Sequence, residues 1–467
     1  MGHTLTQEIV DIYEFPAVDK LLKARDKYQV TIGDMHANAA KLLFACCKHG
    51  FIDITQDDYN QFIKLYHKET LTAEDIKSFK EIIARIKVFP EAKESLLRLI
   101  GDLLTDRGQN DYFILKLLEV LVDNGVPVEI LISNHDAEFI RCLEQGLGFD
   151  KIILEKSQGK SAVKLQELIQ KGLVTREEII SLYNKCIKPN LKALSYSFND
   201  NQDKLTIYSH GPIGLKNIEY MAKRLGVPYL GDEPILIAKT IDAINEKFSE
   251  YVSQNKLSEL LDVHHVPQDA INGRQPIDPE KFPFAHLIWN RKTDDLVRPH
   301  HIYFVHGHHM ESDSYRNVFN LDNILGKMKT VHNGQYNVLY SKEVSKLRDI
   351  ATQVSGLIKT KSASLLRKSQ EKVVDKLLVQ REIAAELAQG KLLTNDAASF
   401  MNQEDLIEKI ATIISTPRPQ PVAYQPSIVK GAFTAFYDSY IKDYYGQFLS
   451  VKDGLGNLFR HRPQAVN

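Results

Sequence analysis

The chain has 467 residues, a formal net charge of −1 and 43% hydrophobic residues. That length supports a sizeable core and two or three domains. The near-neutral charge gives no pull toward nucleic acid or an anionic membrane, and no run approaches the about 18 apolar residues of a membrane-spanning helix.

At the N-terminus, "MGHTLTQEIVDIYEF" carries acids where a signal peptide needs an apolar core, so a cleaved leader is not expected. The first short apolar run, "YQVTIGDMHAN" (28–38), reads as a buried strand ending in Asp34 and His36, with the helix "AAKLLFACCKHG" behind it. Residues 53–92 read as a helical insertion, in which Thr72 and Asp75 form a capping box. The second strand, "LLRLIGDLLTDRG", ends in Asp102, Asp106 and Arg107. A helix, "NDYFILKLLEVLVDNG", follows it and closes with Gly125 in a C-cap. "VEILISNHD" ends in Asn134 and His135, and a second helical stretch (151–192) contains Thr175 as a cap. Two further strands, "KLTIYSHGPIG" and "IYFVHGHH", end in His210 and His308, and "YNVLYS" (336–341) is expected to close the sheet.

Beyond about residue 342 the composition changes. Leu366, Val373, Leu377, Ala384 and Leu387 form one helical stripe, "STPRPQPVAYQP" is a proline-rich connector, and aromatic residues recur at helical spacing after it. This region is expected to be helical, packed on the body or binding a partner. The four cysteines, Cys46, Cys47, Cys142 and Cys186, have no paired spacing and are expected to be reduced and buried, as suits a cytosolic protein.

Strands alternating with helices argue for an α/β sheet, and in such sheets functional groups collect beyond the C-terminal strand ends. Every polar cluster lies there. Together they offer Asp34, His36, Asp102, Asn134, His210 and His308, a mixture of carboxylate, amide and imidazole donors suited to Mn, Fe or Zn. Two cations about 3.5–4 Å apart need a shared carboxylate, and Asp102 is the natural bridge. Arg107 can stabilise charge on phosphoryl oxygens, while Asp106 holds His135 to protonate a leaving oxygen. The bland reading of each residue is turn capping or core hydrogen bonding. For His135 it is a supporting role behind a ligand, for Arg107 a surface ion pair. His306 and His309 are read as supporting or solvated, and Trp289 as packing beneath Arg291.

In order, "GDMHAN", "GDLLTDRG", "SNHD", "SHGPIG" and "VHGHH" resemble the signature blocks of PPP-type metallophosphatases, in the calcineurin-like phosphoesterase superfamily. "LIWNR" resembles a sixth block, found in small bacterial and phage phosphatases, and assigns Arg291 to the phosphate. The resemblance covers about residues 28–342. It implies an α/β fold: a calcineurin-like β-sandwich flanked by helices, with helical insertions, after an N-terminal segment (1–27) and before a helical region (343–467). It also implies one ion on Asp34 and His36, another on Asn134, His210 and His308, and Asp102 between them. Two divalent ions, manganese first and iron or zinc as alternatives, would carry hydrolysis of phosphomonoesters by a metal-bound hydroxide. The chain departs from the pattern in one extra residue between Asp102 and Asp106, and in Ala37, Ser133 and Pro212 where glycines are usual.

The insertion and the "GDLLTDRGQNDYF" and "ILISNHDAEF" stretches also resemble the Wip phosphatase effectors that Legionella injects through a type IV system. This implies a phosphoprotein substrate in a host cytosol, with phosphotyrosine and phosphoserine/threonine both open. The alternatives are a nucleotide or dinucleoside-polyphosphate hydrolase, and a scaffold whose phosphatase body is vestigial and whose residues 343–467 bind a partner.

Overall fold

In a computed structural model the described residues are 3–18, 28–152, 158–199, 204–271, 274–292, 299, 301–309 and 317–342. The chain divides into two units, Met1–Glu343 and Val344–Asn467. All described residues belong to the first, so the helical reading of 343–467 lies outside them.

The strands are β1 (His3–Asp11), β2 (Tyr28–Ile32), β3 (Ile52–Asp53), β4 (Lys87–Val88), β5 (Leu96–Leu99) and β6 (Val128–Leu131). They continue with β7 (Leu191–Lys192), β8 (Ser195–Phe198), β9 (Leu205–Tyr208), β10 (Ile302–His306), β11 (Val318–Asn320) and β12 (Asn333–Lys342). A six-stranded sheet runs β1-β12-β2-β5-β6-β7 and a four-stranded sheet runs β11-β10-β9-β8. All five apolar runs that end in polar clusters, and "YNVLYS", are strands. β12 does not close a sheet, however, because it lies between β1 and β2, antiparallel to both. The N-terminal stretch forms the edge strand, with His3 to Asp11 paired against Ser341 to Asn333.

Strand alternation explains the layering. On β5, Leu97 and Leu99 enter the main apolar core beneath the helices, whereas Arg98 turns toward the second sheet and stacks 3.9 Å from the Tyr208 ring of β9. Arg98 is fully buried. It donates to Glu129, Ser195, Thr31 and Gln29, a satisfied polar layer between the sheets. Ile100, Leu131, Tyr208, Val305, Leu321 and Leu339 complete that inter-sheet core.

The helices are α1 (Ala39–Lys48), α2 (Gln56–Tyr66), α3 (Ala73–Arg85), α4 (Asp111–Asp123), α5 (Asn134–Glu144) and α6 (Lys160–Gln170). They continue with α7 (Arg176–Leu182), α8 (Leu215–Leu225), α9 (Pro234–Ser253), α10 (Leu257–Leu261), α11 (Gln268–Ile271) and α12 (Pro283–Trp289). The first insertion is α2 and α3 with a small β3–β4 ribbon. Thr72 and Asp75 form the capping box of α3, Thr175 caps α7, and Gly125 ends α4 with φ +76°. Phe62 and Phe79 pack on Phe113 of α4 with centroids 5.5 and 4.1 Å apart, pairs each worth about 0.5–1.5 kcal/mol beyond their area. The four cysteines are free and buried. Among the described residues no helix is long and apolar enough to cross a membrane.

β2, β5 and β6 are mutually parallel, as are β9, β10 and β11, and the two sheets deliver these C-terminal ends to one place.

Candidate metal centre

Each candidate ligand follows a strand directly: Asp34 after β2, Asp102 after β5, Asn134 after β6, His210 after β9 and His308 after β10. The loops are locked together by backbone bonds, Met35 N–H to Gly101 O (3.1 Å), Ala37 N–H to Asp102 O (2.8 Å) and Gly108 N–H to His36 O (3.0 Å). Tyr66 from α2 adds a tie, donating to Ala37 O and accepting from Gln109 N–H. Several glycines here are required by contact, two of them against the candidate ligands. Gly101 has φ +114°, and a Cβ there would lie 2.7 Å from His210 Nδ1; at Gly307 it would lie 1.9 Å from Asp34 Oδ1. Of the seven non-glycine residues with positive φ among the described residues, five (His36, Ala37, Asp102, Thr105 and His308) are in these loops, a clustering typical of functional sites.

His210 is the focus of one half. Its Nδ1 lies 3.0 Å from Ile100 O, a carbonyl that can only accept, so Nδ1 carries the proton. Burial lowers its pKa, so the ring is neutral and Nε2 presents a lone pair. That lone pair faces Asn134 Oδ1 at 2.8 Å, His308 Nδ1 at 3.1 Å and Asp102 Oδ1 at 3.5 Å. Nε2, Asn134 Oδ1 and Asp102 Oδ1 are all acceptors and repel one another, and a divalent cation among them resolves the conflict. His308 fits the same role: burial, then His210 and Arg291, hold its pKa well below the usual range.

Asp34 and His36 form the neighbouring half. Asp34 Oδ2 accepts from His308 N–H at 2.9 Å, while Asp34 Oδ1 and Asp102 Oδ1 are buried with no hydrogen bond. Burial, then the charges of Asp322 and Asp102, push the Asp34 carboxyl well above its usual range. His36 places Nδ1 3.2 Å from Asp106 Oδ2. Burial opposes its charge, yet Asp106 and Asp322 raise it to about 9. Asp34, Asp102 and His210 each offer one ligand atom within 4.8 Å of the others, as do Asp34, His36 and Asp322. The donor set therefore fits divalent cations.

Asp106 is a hub. Burial disfavours its charge, but His135, His36 and Arg107 hold it well below the usual carboxylate range. Its Oδ1 accepts from Arg107 Nη1 at 2.7 Å and lies 3.5 Å from His135 Nε2. His135 differs from expectation, because its tighter bond runs from Nδ1 to Thr105 O at 2.7 Å. Thr105 lies in the stretch lengthened by the extra residue, and its left-handed φ of 58° accommodates the longer loop. Asp136 accepts from Leu103 and Leu104 N–H, and Asp111 from Thr105 N–H, so the lengthened loop is braced at each step. Despite burial, Asp106 and Asp102 raise the His135 pKa.

Arg291 donates to Ile271 O at 3.2 Å and lies 5.8 Å from the Trp289 ring, as the sequence suggested. Burial lowers its pKa, and it interacts electrostatically with Asp102 and His308. His306 and His309 are buried rather than solvated, and His264 and His265 are exposed.

Sequence reading missed two residues. Lys41 is buried and donates to Asp34 O (2.7 Å) and Leu325 O (3.1 Å), fixing the loop that carries Asp34. Burial lowers its pKa to about 8. Asp322 follows the short run "VFNL"; it too lies beyond a strand end, but after only a three-residue strand and without the glycine that marks four of the other five.

The profile of the WipA-like phosphatase domain matches residues 96–327. The phosphatase domain of the Legionella effector WipB is 34% identical in sequence and similar in structure, with a TM-score of 0.55 over 60% of this chain and 99% of that one. The chain belongs to the WipA-like phosphatases. No curated protein matches it. The family match begins at β5 and so leaves out Asp34 and His36, which follow β2.

Proposed function

We propose that this phosphatase hydrolyses phosphomonoesters on proteins, phosphotyrosine or phosphoserine/threonine, with two divalent cations. One would be held by Asp34 and His36, the other by Asn134, His210 and His308, with Asp102 shared. The observation that carries the reading is that Asn134 Oδ1 and Asp102 Oδ1 face His210 Nε2 within 3.5 Å, while Asp102 Oδ1 and Asp34 Oδ1 are buried without a donor. When bound, the cations would supply an activated water and neutralise phosphoryl charge, and manganese suits the mixed donors best.

The remaining steps fall to side chains. Arg107, freed from Asp106, and Arg291, freed from Ile271 O, would grip the non-bridging phosphoryl oxygens. His135, held by Thr105 and Asp106 with its pKa raised, would protonate the departing oxygen. Likeness to the WipB effector domain supports delivery into a host cell and action on a host phosphoprotein.

The test is phosphate release from an aryl phosphate and from matched phosphotyrosine and phosphoserine peptides. Activity should vanish on chelation, return with Mn²⁺ and fall at least about 10³-fold in Asp102→Asn. Metal-independent turnover, or preference for nucleotides over every phosphopeptide, would reject the reading.

A further inference from the structure

Asp322 stands where the sequence gave no warning. It follows β11, the edge strand of the second sheet, whose end is pinned by Leu321 N–H donating to His306 O at 2.8 Å. The Leu321 carbonyl presses on Gly33, where a Cβ would come within 2.2 Å of it, so β11 ends directly over the loop that carries Asp34. Asp322 N–H donates to Asn320 Oδ1 at 2.9 Å, which sets the turn. Its side chain is 2% exposed, and Oδ1 has no close hydrogen bond.

We propose that Asp322 is a further ligand of the cation held by Asp34 and His36, making this half a three-carboxylate, one-imidazole site for a hard divalent ion. The proposal rests on the two-cation reading above. Asp322 Oδ1 lies 3.4 Å from His36 Nε2, and Asp34, His36 and Asp322 each offer a ligand atom within 4.8 Å of the others. Asp34 Oδ1, equally buried, also lacks a donor. Asp322 Oδ1 has only the His36 ring beside it and Asp34 Oδ1 has no donor, and two buried carboxylate oxygens so placed are costly unless a cation joins them. Lys41 does not, because its ammonium donates to backbone carbonyls of Asp34 and Leu325. Nor is Asp322 needed to orient His36, whose ring nitrogens already face Asp106 Oδ2 at 3.2 Å and Asn323 O at 2.9 Å. As a ligand, His36 would give up the contact of Nε2 with Asn323 O and turn that nitrogen to a cation beside Asp322 Oδ1, with Nδ1–H still held by Asp106. The two halves then differ in kind. Asp34, Asp102, Asp322 and His36 favour Mn²⁺, whereas Asn134, Asp102, His210 and His308 accept Zn²⁺ or Fe²⁺ as readily.

The experiment titrates Mn²⁺ into the chelator-stripped full chain by calorimetry and counts bound metal after dialysis. Wild type should take up two equivalents. Asp322→Asn keeps an oxygen that His36 can contact but removes the charge. It should weaken one site at least tenfold and leave the other within twofold. The same tenfold loss should appear when Asp322→Asn is added to His36→Ala. An unchanged Asp322→Asn titration, or no added loss in the His36→Ala background, overturns the proposal and leaves the two-cation reading standing. A wild-type chain that takes up no Mn²⁺ overturns both. Circular dichroism melting of the stripped variants, with Asp322→Ser as a second substitution, shows whether each one folds.

Discussion

Gly307→Ala isolates the geometry of the centre with one methyl group. Gly307 has no left-handed φ and its N–H donates to His210 O at 2.8 Å, so alanine is tolerated by the backbone itself. The added Cβ would sit 1.9 Å from Asp34 Oδ1, where ordinary contact begins at 3.4 Å, so the carboxylate must retreat by about 1.5 Å. Metal–oxygen bonds tolerate only about 0.2 Å, so Asp34 is lost as a ligand or holds a strained geometry. Damage of that kind costs about 10–100-fold in metal affinity, or about 1.4–2.7 kcal/mol. Mn²⁺ calorimetry should show that loss. Phosphate release at limiting Mn²⁺ should fall in parallel and recover partly at saturation. Gly334→Ala is the control, because its Cβ would meet nothing closer than 3.8 Å. If Gly307→Ala binds Mn²⁺ as wild type does, Asp34 Oδ1 does not face a cation and the ligand assignment fails.

Arg98→Met removes a fully buried guanidinium and leaves Glu129 with Lys192 as its remaining charged partner. Breaking a buried pair costs about 3–5 kcal/mol. For a 343-residue unit with an unfolding entropy of about 2.1 cal/mol/K per residue, scanning calorimetry should show Tm falling by about 4–7 °C. Loss below 1 °C would show the inter-sheet layer to be energetically idle. A second effect concerns pH. His36 is raised from 6.5 to about 9 in the metal-free fold, so the folded chain binds the extra proton between those values. Its contribution, up to about 3 kcal/mol, is complete below pH 6.5 and lost as pH rises through 9. Urea unfolding of the stripped chain should follow that slope, and His36→Asn should flatten it. Equal slopes in the two proteins would remove His36 as the origin.

The five strands that end in polar clusters were legible because buried parallel strands are short apolar runs that must stop where backbones crowd a site. Gly101 and Gly307 mark such stops in the letters themselves. Caps at Thr72 and Thr175 and the stop at Gly125 were equally local. β1 was illegible, because an edge strand with one open face has a mixed pattern and gains its structure only by pairing with β12, more than 300 residues away. Arg98 within a core strand, and β8 with its polar "SYSF", make sense only once a second sheet supplies Tyr208 and Ser195 as partners.

By itself, the sequence determined which donor side chains stand at the ends of five strands and the order in which they occur, since donor type and strand-end position are properties of short segments. Tertiary structure alone decided that Asp322 joins Asp34 and His36, that Thr105 rather than Asp106 makes the closest bond to His135, and that two sheets deliver their ends to one point. Those facts depend on distances between segments far apart in the chain. Packing sets such distances, and no local pattern of residues encodes them.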